Sequence, residues 1–275
     1  YFKLFELFLN NESNFKNCFY LYENQSWERS LIYNLNIHSS ETNKYGLIHS
    51  SVRFWDLRYV KMNYLYNNPN LEKFSHNKIF VSSEKFKKIL LDNNFNSDQI
   101  IVTETLGFEY ISNFEESPSL EKNKDYVVIL GDYNKNINKK IEFCIKLLSK
   151  NDRYRVICKP HPLNDFKNEL YNIPNLKKSS DTAKDLSKIY NNFIVSNSST
   201  VGLELYLTGR NVITVLNDEF INYSPLKHYY NYQNYVYDIN QIEHKIDNDI
   251  KNYVYPDFFE QNTNFKRWIK IINND

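Results

Sequence analysis

Short apolar runs alternate with amphipathic segments along the chain, a pattern that predicts strands alternating with helices in parallel α/β sheets. In the first half, the runs CFYLY, GLIH, IFVS and QIIV predict strands at residues 18–22, 46–49, 79–82 and 99–102. Helical spacing predicts helices at residues 26–35, with Ser26 as the N-terminal cap, and at residues 84–91.

The second half repeats this alternation more clearly. Apolar runs predict strands at residues 126–130, 154–159, 193–196 and 211–216. Helices are predicted at residues 137–149, 182–189, 200–207 and 264–272, with Gly209 ending the third of them. The last helix has Phe265, Trp268, Ile269 and Ile272 on one face. The half therefore outlines a doubly wound α/β domain.

A polar stretch at residues 115–125, which contains Pro118, separates the two halves. We predict an N-terminal domain at 1–116, a linker at 117–125, a C-terminal domain at 126–255 and a final helical segment at 256–275 that packs back across the domains. The only methionine is Met62, and the first domain is short. We therefore expect that the N-terminal domain is incomplete in this chain.

The composition and net charge of the chain exclude several classes of protein. The 275 residues are 41% hydrophobic, and 34 basic residues nearly balance 33 acidic ones, for a net charge of +1. A core can form, but no global basic field favours nucleic acid. The apolar runs are too short to span a membrane. Cys18, Cys144 and Cys158 have no metal or redox spacing, so we expect reduced thiols and no metal site.

Candidate chemistry in the second half follows the predicted strands, where parallel sheets bind ligands. Prolines on both sides of His161 restrict the backbone after one strand, and Lys159 adds positive charge that suits a phosphate. An ordinary surface loop is the competing interpretation. The hydroxyl run Ser198, Ser199 and Thr200 precedes a helix and can bind an anion, although simple capping would also explain it.

Three further residues of this half are candidates. Gly131 and Asp132 follow the first strand, where glycine permits close backbone approach or a positive φ, and an ordinary turn is the alternative. Glu204 lies on the helix after the hydroxyl run and can accept bonds from ribose hydroxyls; a helix-dipole partner or a solvated carboxylate is the simpler interpretation.

In the first half, Glu23 follows a predicted strand and is placed for general-base chemistry. The segment HSSVRFWDLRY concentrates reactive side chains, namely His49, Arg53, Asp56 and Arg58. The arginines can hold an acidic sugar or a phosphate, or they can pair with Asp56. Glu104, after the strand QIIV, is a further carboxylate candidate.

This order of motifs resembles bacterial glycosyltransferases of the GT-B type. The resemblance rests on Glu23 in YENQSWER, on residues 159–162 (KPHP) and on residues 198–200 (SST). It is closer to enzymes that use CMP-activated acidic sugars, the sialyltransferases and Kdo transferases. YENQSWER, GLIHSSVRFWDLRY, TETLGFEY and NYSPL also resemble a family of surface carbohydrate biosynthesis proteins. The acidic motif departs from the sialyltransferase pattern, because Glu23 is followed by Asn-Gln rather than by a second acid and glycine.

The resemblance implies two Rossmann-like domains that face a cleft and a metal-independent sugar transfer from a CMP-linked donor without a further cofactor. The nucleotide would contact Gly131, Asp132, Lys159, His161, Ser198, Ser199, Thr200 and Glu204. The glycan acceptor would contact His49, Arg53, Arg58 and Glu104. Glu23 would act as the base, with Asp56 and Glu104 in reserve, and His161 would assist the leaving group.

Three alternatives remain at this point. A polyol-phosphate transferase of the teichoic-acid type shares the KPHP and SS pattern, and a nucleotide-sugar epimerase shares the scaffold. A non-catalytic GT-B module would only bind a glycan or a partner protein. We expect the protein in the cytoplasm, including the inner face of the membrane, because the C-terminal pattern FKRWIKII is compatible with peripheral membrane association.

Overall fold

The structure is a computed structural model, and it describes residues 1–11, 15–53, 55–61, 74–111, 114, 125–217, 221–228, 232–248, 258–260 and 264–273. Contacts divide the chain into two compact units. The first unit is Tyr1–Glu109 with Asp257–Asp275, and the second is Tyr110–Pro256. The predicted boundary fell at residues 117–125, of which 117–124 lie outside the described residues.

The first unit contains a four-stranded sheet in the order β1-β2-β3-β4, with every described pairing parallel. Its elements are α1 (Phe2–Asn11), β1 (Asn17–Leu21), α2 (Ser26–His38), β2 (Asn43–Leu47), β3 (Lys78–Val81), α3 (Glu84–Asp92), β4 (Ile100–Val102) and, from the end of the chain, α8 (Lys266–Asn273).

The second unit contains a six-stranded parallel sheet in the order β10-β9-β8-β5-β6-β7. Its elements are β5 (Tyr126–Leu130), α4 (Lys135–Ser149), β6 (Arg155–Lys159), β7 (Leu176–Lys178), α5 (Ala183–Ile189), β8 (Asn192–Ser196), α6 (Val201–Leu207), β9 (Asn211–Val215), β10 (Tyr235–Val236) and α7 (Ile242–Asp247). Turns of 3-10 helix lie at Leu57–Tyr59, Ser97–Gln99, Glu109–Ile111, Asn168–Asn172, Pro225–His228 and Ile239–Gln241.

The predicted strands and helices are present, with ends within three residues of those expected from the pattern. Among the described elements, α1, β7, β10 and α7 have no counterpart in the prediction. The two missed strands have three and two residues. Such short runs contain too few positions to establish an alternation.

The core of the second unit follows the apolar positions that predicted the strands. Its buried side chains come from β5, α4, β6, β8 and β9, and they include Val127, Ile129, Ile141, Ile145, Val156, Ile194 and Ile213. Cys144 and Cys158 are fully buried free thiols in this core, as expected, and Cys18 is a half-buried free thiol in the first unit. Burial raises the pKa of the Cys144 thiol to about 12, because the thiolate would lose its hydration.

Helices in the two units begin and end at residues that cap them, and one predicted cap, Ser26, is wrong. Asn134 and Thr182 accept backbone N–H groups at the starts of α4 and α5. Gly209 has φ of 78° beyond the end of α6, which confirms its predicted role. Ser26 does not cap α2, because the capping position belongs to Gln25 and the side chain that turns back is Glu28.

The final helix α8 packs on the sheet of the first unit. The Trp268 ring lies 5.2 Å from the Phe80 ring, and its Nε1–H donates to the carbonyl of Glu104 at 2.8 Å. Ile269 and Ile272 remain exposed at 52% and 55%. The predicted apolar face of this helix is therefore only partly buried within its own unit.

Candidate functional site

The strand order of the second sheet creates a switch point. The chain moves from β5 to β6 and β7 on one side, and then returns to β8, β9 and β10 on the other side. β5 and β8 are therefore neighbours whose following loops separate, and such a crevice at the carboxyl ends is where open α/β sheets bind ligands. Gly131 and Asp132 follow β5, and Ser198 lies two residues beyond β8.

Asp132 links these loops through a buried hydrogen-bond cluster, here called the Asp132 cluster (Asp132, Asn138, Asn164, Ser196 and Ser198). The hydroxyls of Ser196 and Ser198 both donate to Oδ2 of Asp132. Asn138 accepts the Asp132 N–H at 2.7 Å, and its amide donates to the Asp132 carbonyl at 2.9 Å. Asn164 also donates to that carbonyl, at 3.2 Å. The carboxylate of Asp132 therefore joins the loops after β5 and β8, and its backbone carbonyl joins the loop after β6.

Gly131 allows the loop after β6 to approach the loop after β5. A Cβ atom at this position would lie 3.0 Å from the backbone nitrogen of His161 and 3.2 Å from Cα of Pro160. The Gly131 N–H also donates to the carbonyl of Lys159 at 2.8 Å. Of the two roles predicted for this glycine, the structure shows close approach and not a positive φ, since Gly209 is the glycine with positive φ among the described residues.

His161 lies at the rim of an open cleft of about 510 Å³, here called the His161 cleft (Lys159, Pro160, His161, Pro162, Asp165, Lys178, Ser179 and Ser180). The Leu163 N–H donates to Nδ1 of His161 at 3.2 Å, which leaves Nε2 to carry the proton in the neutral ring. The side chain of Lys159 makes no hydrogen bond among the described residues. Lys178 differs, because it forms an ion pair with Asp165.

Asp165 is the acidic member of the His161 cleft, and its charge is compensated internally. Lys178 and the Tyr171 hydroxyl donate to its carboxylate, and these bonds lower the pKa of Asp165 below its usual range. With this pair neutralised, Lys159 and His161 leave the cleft favourable to an anion.

The hydroxyl run before α6 is not used for simple capping. Thr200 occupies the capping position, but its side chain makes no capping bond. The Ser198 hydroxyl donates to Asp132 instead, and the Ser199 N–H donates to the carbonyl of Ser196 at 3.2 Å. The capping alternative for this run therefore does not describe the structure, in which the run closes the loop after β8 onto Asp132.

Glu204 is largely buried on α6, and it is not the solvated carboxylate of the simpler interpretation. The Tyr110 hydroxyl donates to its Oε2, and Lys184 lies 4.5 Å above the Tyr110 ring. Burial raises the pKa of Glu204, and the hydrogen bond from Tyr110 opposes that shift. Oε1 makes no hydrogen bond among the described residues. The partnership with Tyr110 was not predicted, because 93 residues separate the two in sequence and tyrosine has no charge to mark it.

Four of the six predicted residues of the first unit converge at the carboxyl ends of β1 and β2, in what we call the Glu23 cluster (Glu23, His49, Asp56 and Arg58). Arg58 donates to both Asp56 oxygens, at 2.8 and 2.7 Å, and to Oε1 of Glu23 at 3.2 Å. His49 Nε2 lies 3.9 Å from the same Glu23 oxygen. Both oxygens of the reserve base Asp56 are thus engaged, and the side chain is buried. This arrangement favours a role for Asp56 in holding Arg58.

Glu28 orders the loop that carries Glu23. Its two oxygens accept the N–H groups of Glu23 and Asn24 at 2.9 Å each. Asn24 has φ of 59°, in the left-handed region that asparagine tolerates. Burial raises the pKa of Glu28, and the backbone N–H groups oppose the shift. Glu28 therefore positions the loop after β1. Arg53 lies apart from these bonds in the turn before Asp56, whose N–H its carbonyl accepts at 3.2 Å.

Glu104 lines a pocket of about 300 Å³ at the carboxyl ends of the first sheet, here called the Glu104 pocket. Its walls combine aromatic and polar side chains, which include His49, Phe80, Ser82, Phe108 and Trp268. The Arg267 N–H donates to Oε1 of Glu104 at 3.0 Å, whereas the buried Oε2 has no partner among the described residues. A buried acceptor without a partner favours binding of a hydrogen-bond donor.

Two statements hold for the part of the chain that the structure describes. Among these residues, no group of three or more His, Cys, Asp or Glu is arranged to hold a metal ion. No described helix combines the length and the apolar character that crossing a bilayer requires.

The sequence matches no protein-family model and no curated protein. Solved structures match nearly all of it. A UDP-GlcNAc 2-epimerase from Methanocaldococcus jannaschii, in complex with UDP-GlcNAc and UDP, has a TM-score of 0.61 at 12% identity, and the match covers 100% of this chain and 80% of the epimerase. The pneumococcal O-GlcNAc transferase GtfA, in complex with UDP and GlcNAc, has a TM-score of 0.56 at 13% identity, over 98% of this chain and 59% of GtfA.

TarM has a TM-score of 0.53 at 16% identity, over 99% of this chain and 58% of TarM. This chain therefore spans less than two thirds of TarM and of GtfA. At these identities the likeness shows the fold. It confirms the predicted class of two Rossmann-like α/β domains with GT-B proteins as structural neighbours.

Proposed function

We propose that this protein is a glycosyltransferase that moves a sugar from a nucleotide-activated donor onto a surface glycan. The observation that carries the proposal is the convergence of the Asp132 cluster and the His161 cleft at the carboxyl edge of one parallel sheet. Lys159 supplies uncompensated positive charge there and His161 a ring N–H, while Asp132 is satisfied by neutral donors. Such an edge suits the phosphate of a nucleotide.

In this proposal the nucleotide binds the second unit. Lys159 and His161 would contact its phosphate, and Gly131, Asp132 and residues 198–200 would shape the loops around it. Oε1 of Glu204 would accept a ribose hydroxyl while Oε2 stays with Tyr110. Nε2 of His161 would donate to a phosphate oxygen and so stabilise the leaving nucleotide. The reaction would need no metal.

The acceptor would bind the first unit, in the Glu104 pocket and beside the Glu23 cluster. Arg58 is engaged by two carboxylates there, so this edge suits a neutral sugar better than an anionic one. Aromatic walls and a buried carboxylate oxygen are the groups that contact the apolar faces and the hydroxyls of a sugar. Glu23 would take part in activating the acceptor hydroxyl.

For the donor, we propose a CMP-activated acidic sugar, on the strength of the KPHP and SST motifs together with the acidic residue after β1. A UDP-sugar is the second candidate, since M. jannaschii UDP-GlcNAc 2-epimerase and GtfA are solved with UDP. Placement in the cytoplasm or at the inner face of the membrane, where the C-terminal helix would contact the lipid, belongs to the same proposal.

Calorimetric titration with CMP, UDP, GDP and CDP-glycerol tests the donor site. We expect selective CMP binding that is lost in His161→Ala and kept in His38→Ala, which changes a histidine at the end of α2 in the first unit. Selective UDP binding would replace the CMP assignment, and tighter binding of CDP-glycerol would favour polyol-phosphate transfer. Binding of none of the four would contradict a nucleotide-dependent transferase and favour the binding module.

A further inference from the structure

The Glu104 pocket and the Glu23 cluster share one residue, His49. His49 is one of the residues that line the pocket, and its Nε2 lies 3.9 Å from Oε1 of Glu23. Glu23 itself is not among the described residues that line the pocket, and its Oε1 already accepts a bond from Arg58 at 3.2 Å. The residue that borders the pocket is therefore His49, and the carboxylate that the sequence favoured as a base is its neighbour.

The other acidic candidates are no better placed to take a proton. Both oxygens of Asp56 bond to Arg58, and the side chain is buried. Oε1 of Glu104 accepts the Arg267 N–H, and the buried Oε2 has no hydrogen-bond partner among the described residues. A carboxylate in this state is suited to holding a hydroxyl in place.

We propose that His49 is the general base that activates the acceptor hydroxyl, that Glu23 positions its imidazole, and that Glu104 binds a second hydroxyl of the acceptor. The inference rests on the proposed glycosyl transfer. It replaces the predicted base Glu23 with a histidine–carboxylate pair, in which Glu23 acts through His49 and does not touch the substrate.

The proton balance is simple. As the acceptor oxygen forms its bond to the anomeric carbon of the donor, its proton passes to the free ring nitrogen of His49. The bond between the anomeric carbon and the phosphate oxygen breaks, and its electron pair leaves with the nucleotide. Glu23 stabilises the imidazolium, which then returns its proton to solvent. The 3.9 Å separation would shorten in the substrate complex, as catalytic hydrogen bonds commonly do.

Steady-state kinetics of the full chain test the roles. CMP-N-acetylneuraminate and UDP-N-acetylglucosamine serve as donors, a panel of methyl glycosides serves as acceptors, and nucleotide release and product mass are the readouts. We expect His49→Gln to lower kcat by about 100-fold or more with little change in KM, the usual range for loss of a general base. We expect Glu104→Gln to act mainly on KM. The matched control His38→Gln should behave as the wild type.

Two further variants separate positioning from a structural role. In Glu23→Gln, kcat should fall while KM is kept, because the imidazole loses the carboxylate that orients it. In His49→Ala, added imidazole should restore part of the rate, which a merely structural role of His49 would not allow.

The outcomes distinguish the two proposals. If the wild-type chain transfers sugar and His49→Gln does so at the same kcat, the role of His49 is wrong while the proposed function stands. The same holds if Glu104→Gln loses kcat and His49→Gln does not. If the wild type releases no nucleotide from either donor with any acceptor, the proposed function fails and this inference fails with it.

Discussion

At the carboxyl edge of the first sheet, the buried carboxylate of Asp56 is balanced by a guanidinium. At the corresponding edge of the second sheet, the buried carboxylate of Asp132 is balanced by hydroxyl and amide groups. This difference determines whether each edge has a cationic side chain without an internal partner that could bind a ligand. Arg58 forms ion pairs with Asp56 and Glu23, whereas Lys159 and His161 at the second sheet have no acidic partner among the described residues.

This comparison agrees with the proposal that the second unit binds the nucleotide and the first unit binds the acceptor sugar. A phosphate gains from cations that have no internal partner, and a neutral sugar gains from aromatic walls and a free carboxylate oxygen. The four predictions below, ordered from the largest expected effect to the smallest, test how the two edges and the two units differ.

Replacing Asp132, the central acceptor of the Asp132 cluster, should have the largest effect. Asp132→Ala leaves the Ser196 and Ser198 hydroxyls without their shared acceptor, and we expect a loss of about 3 kcal/mol in unfolding free energy. Urea unfolding measures the loss. Ser198→Ala should cost less, because Asp132 keeps the bond from Ser196. Equal losses in the two variants would contradict the role of Asp132 as the central acceptor.

Acid sensitivity should be a property of the first unit. Burial, together with the nearby Lys61, lowers the pKa of His76 to about 4. The neutral ring therefore stabilises the fold above the unfolded-state value of about 6.5, and this contribution is lost as the pH falls toward 4. We expect a loss of about 2 kcal/mol between pH 6.5 and pH 5.

His76→Phe should flatten this dependence, while His38→Gln should leave it in place. Unfolding free energies at several pH values, with hydrogen exchange to locate the response, provide the measurement. A slope that persists in His76→Phe, or one that hydrogen exchange assigns to the second unit, would overturn the assignment.

Releasing Arg58 tests the charge-paired edge. Asp56→Ala removes both of the strong bonds to the guanidinium, and we expect about 2 kcal/mol of destabilisation. Arg58 would then have lost its two shortest bonds and kept the one to Glu23, so phosphate or an acidic sugar should bind the first unit more tightly than in the wild type. Chemical-shift changes on titration with inorganic phosphate would show this. Unchanged phosphate binding would mean that Asp56 does not control the charge of this edge.

The close approach at Gly131 should give the smallest of the four effects. Gly131→Ala places a Cβ atom 3.0 Å from the His161 nitrogen, and we expect about 1 kcal/mol of destabilisation with weaker nucleotide binding. Gly107→Ala is the matched control, because a Cβ atom there meets nothing within 4 Å. Equal nucleotide affinity in the two variants would show that the position of the 159–161 loop does not matter for binding.

The sequence by itself determined the alternation of strands and helices and the positions of most candidate residues at strand ends. Burial is periodic along the chain. The apolar run at residues 126–130 therefore predicted β5, and the helical spacing of apolar residues at 137–149 predicted α4. The prolines around His161 and the hydroxyls at 198–200 marked loops in the same way, through local chemistry. The short strands β7 and β10 lacked enough positions to be seen.

Only the tertiary structure decided which of these side chains meet. Asp132 receives hydroxyls from 64 and 66 residues away, Glu204 receives Tyr110 from 94 residues away, and Arg58 reaches back 35 residues to Glu23. A strand end places a residue at an edge, but the strand order and the paths of the loops select its partner there. The physical reason is that burial is encoded locally, whereas the satisfaction of a buried charge depends on groups that folding brings together.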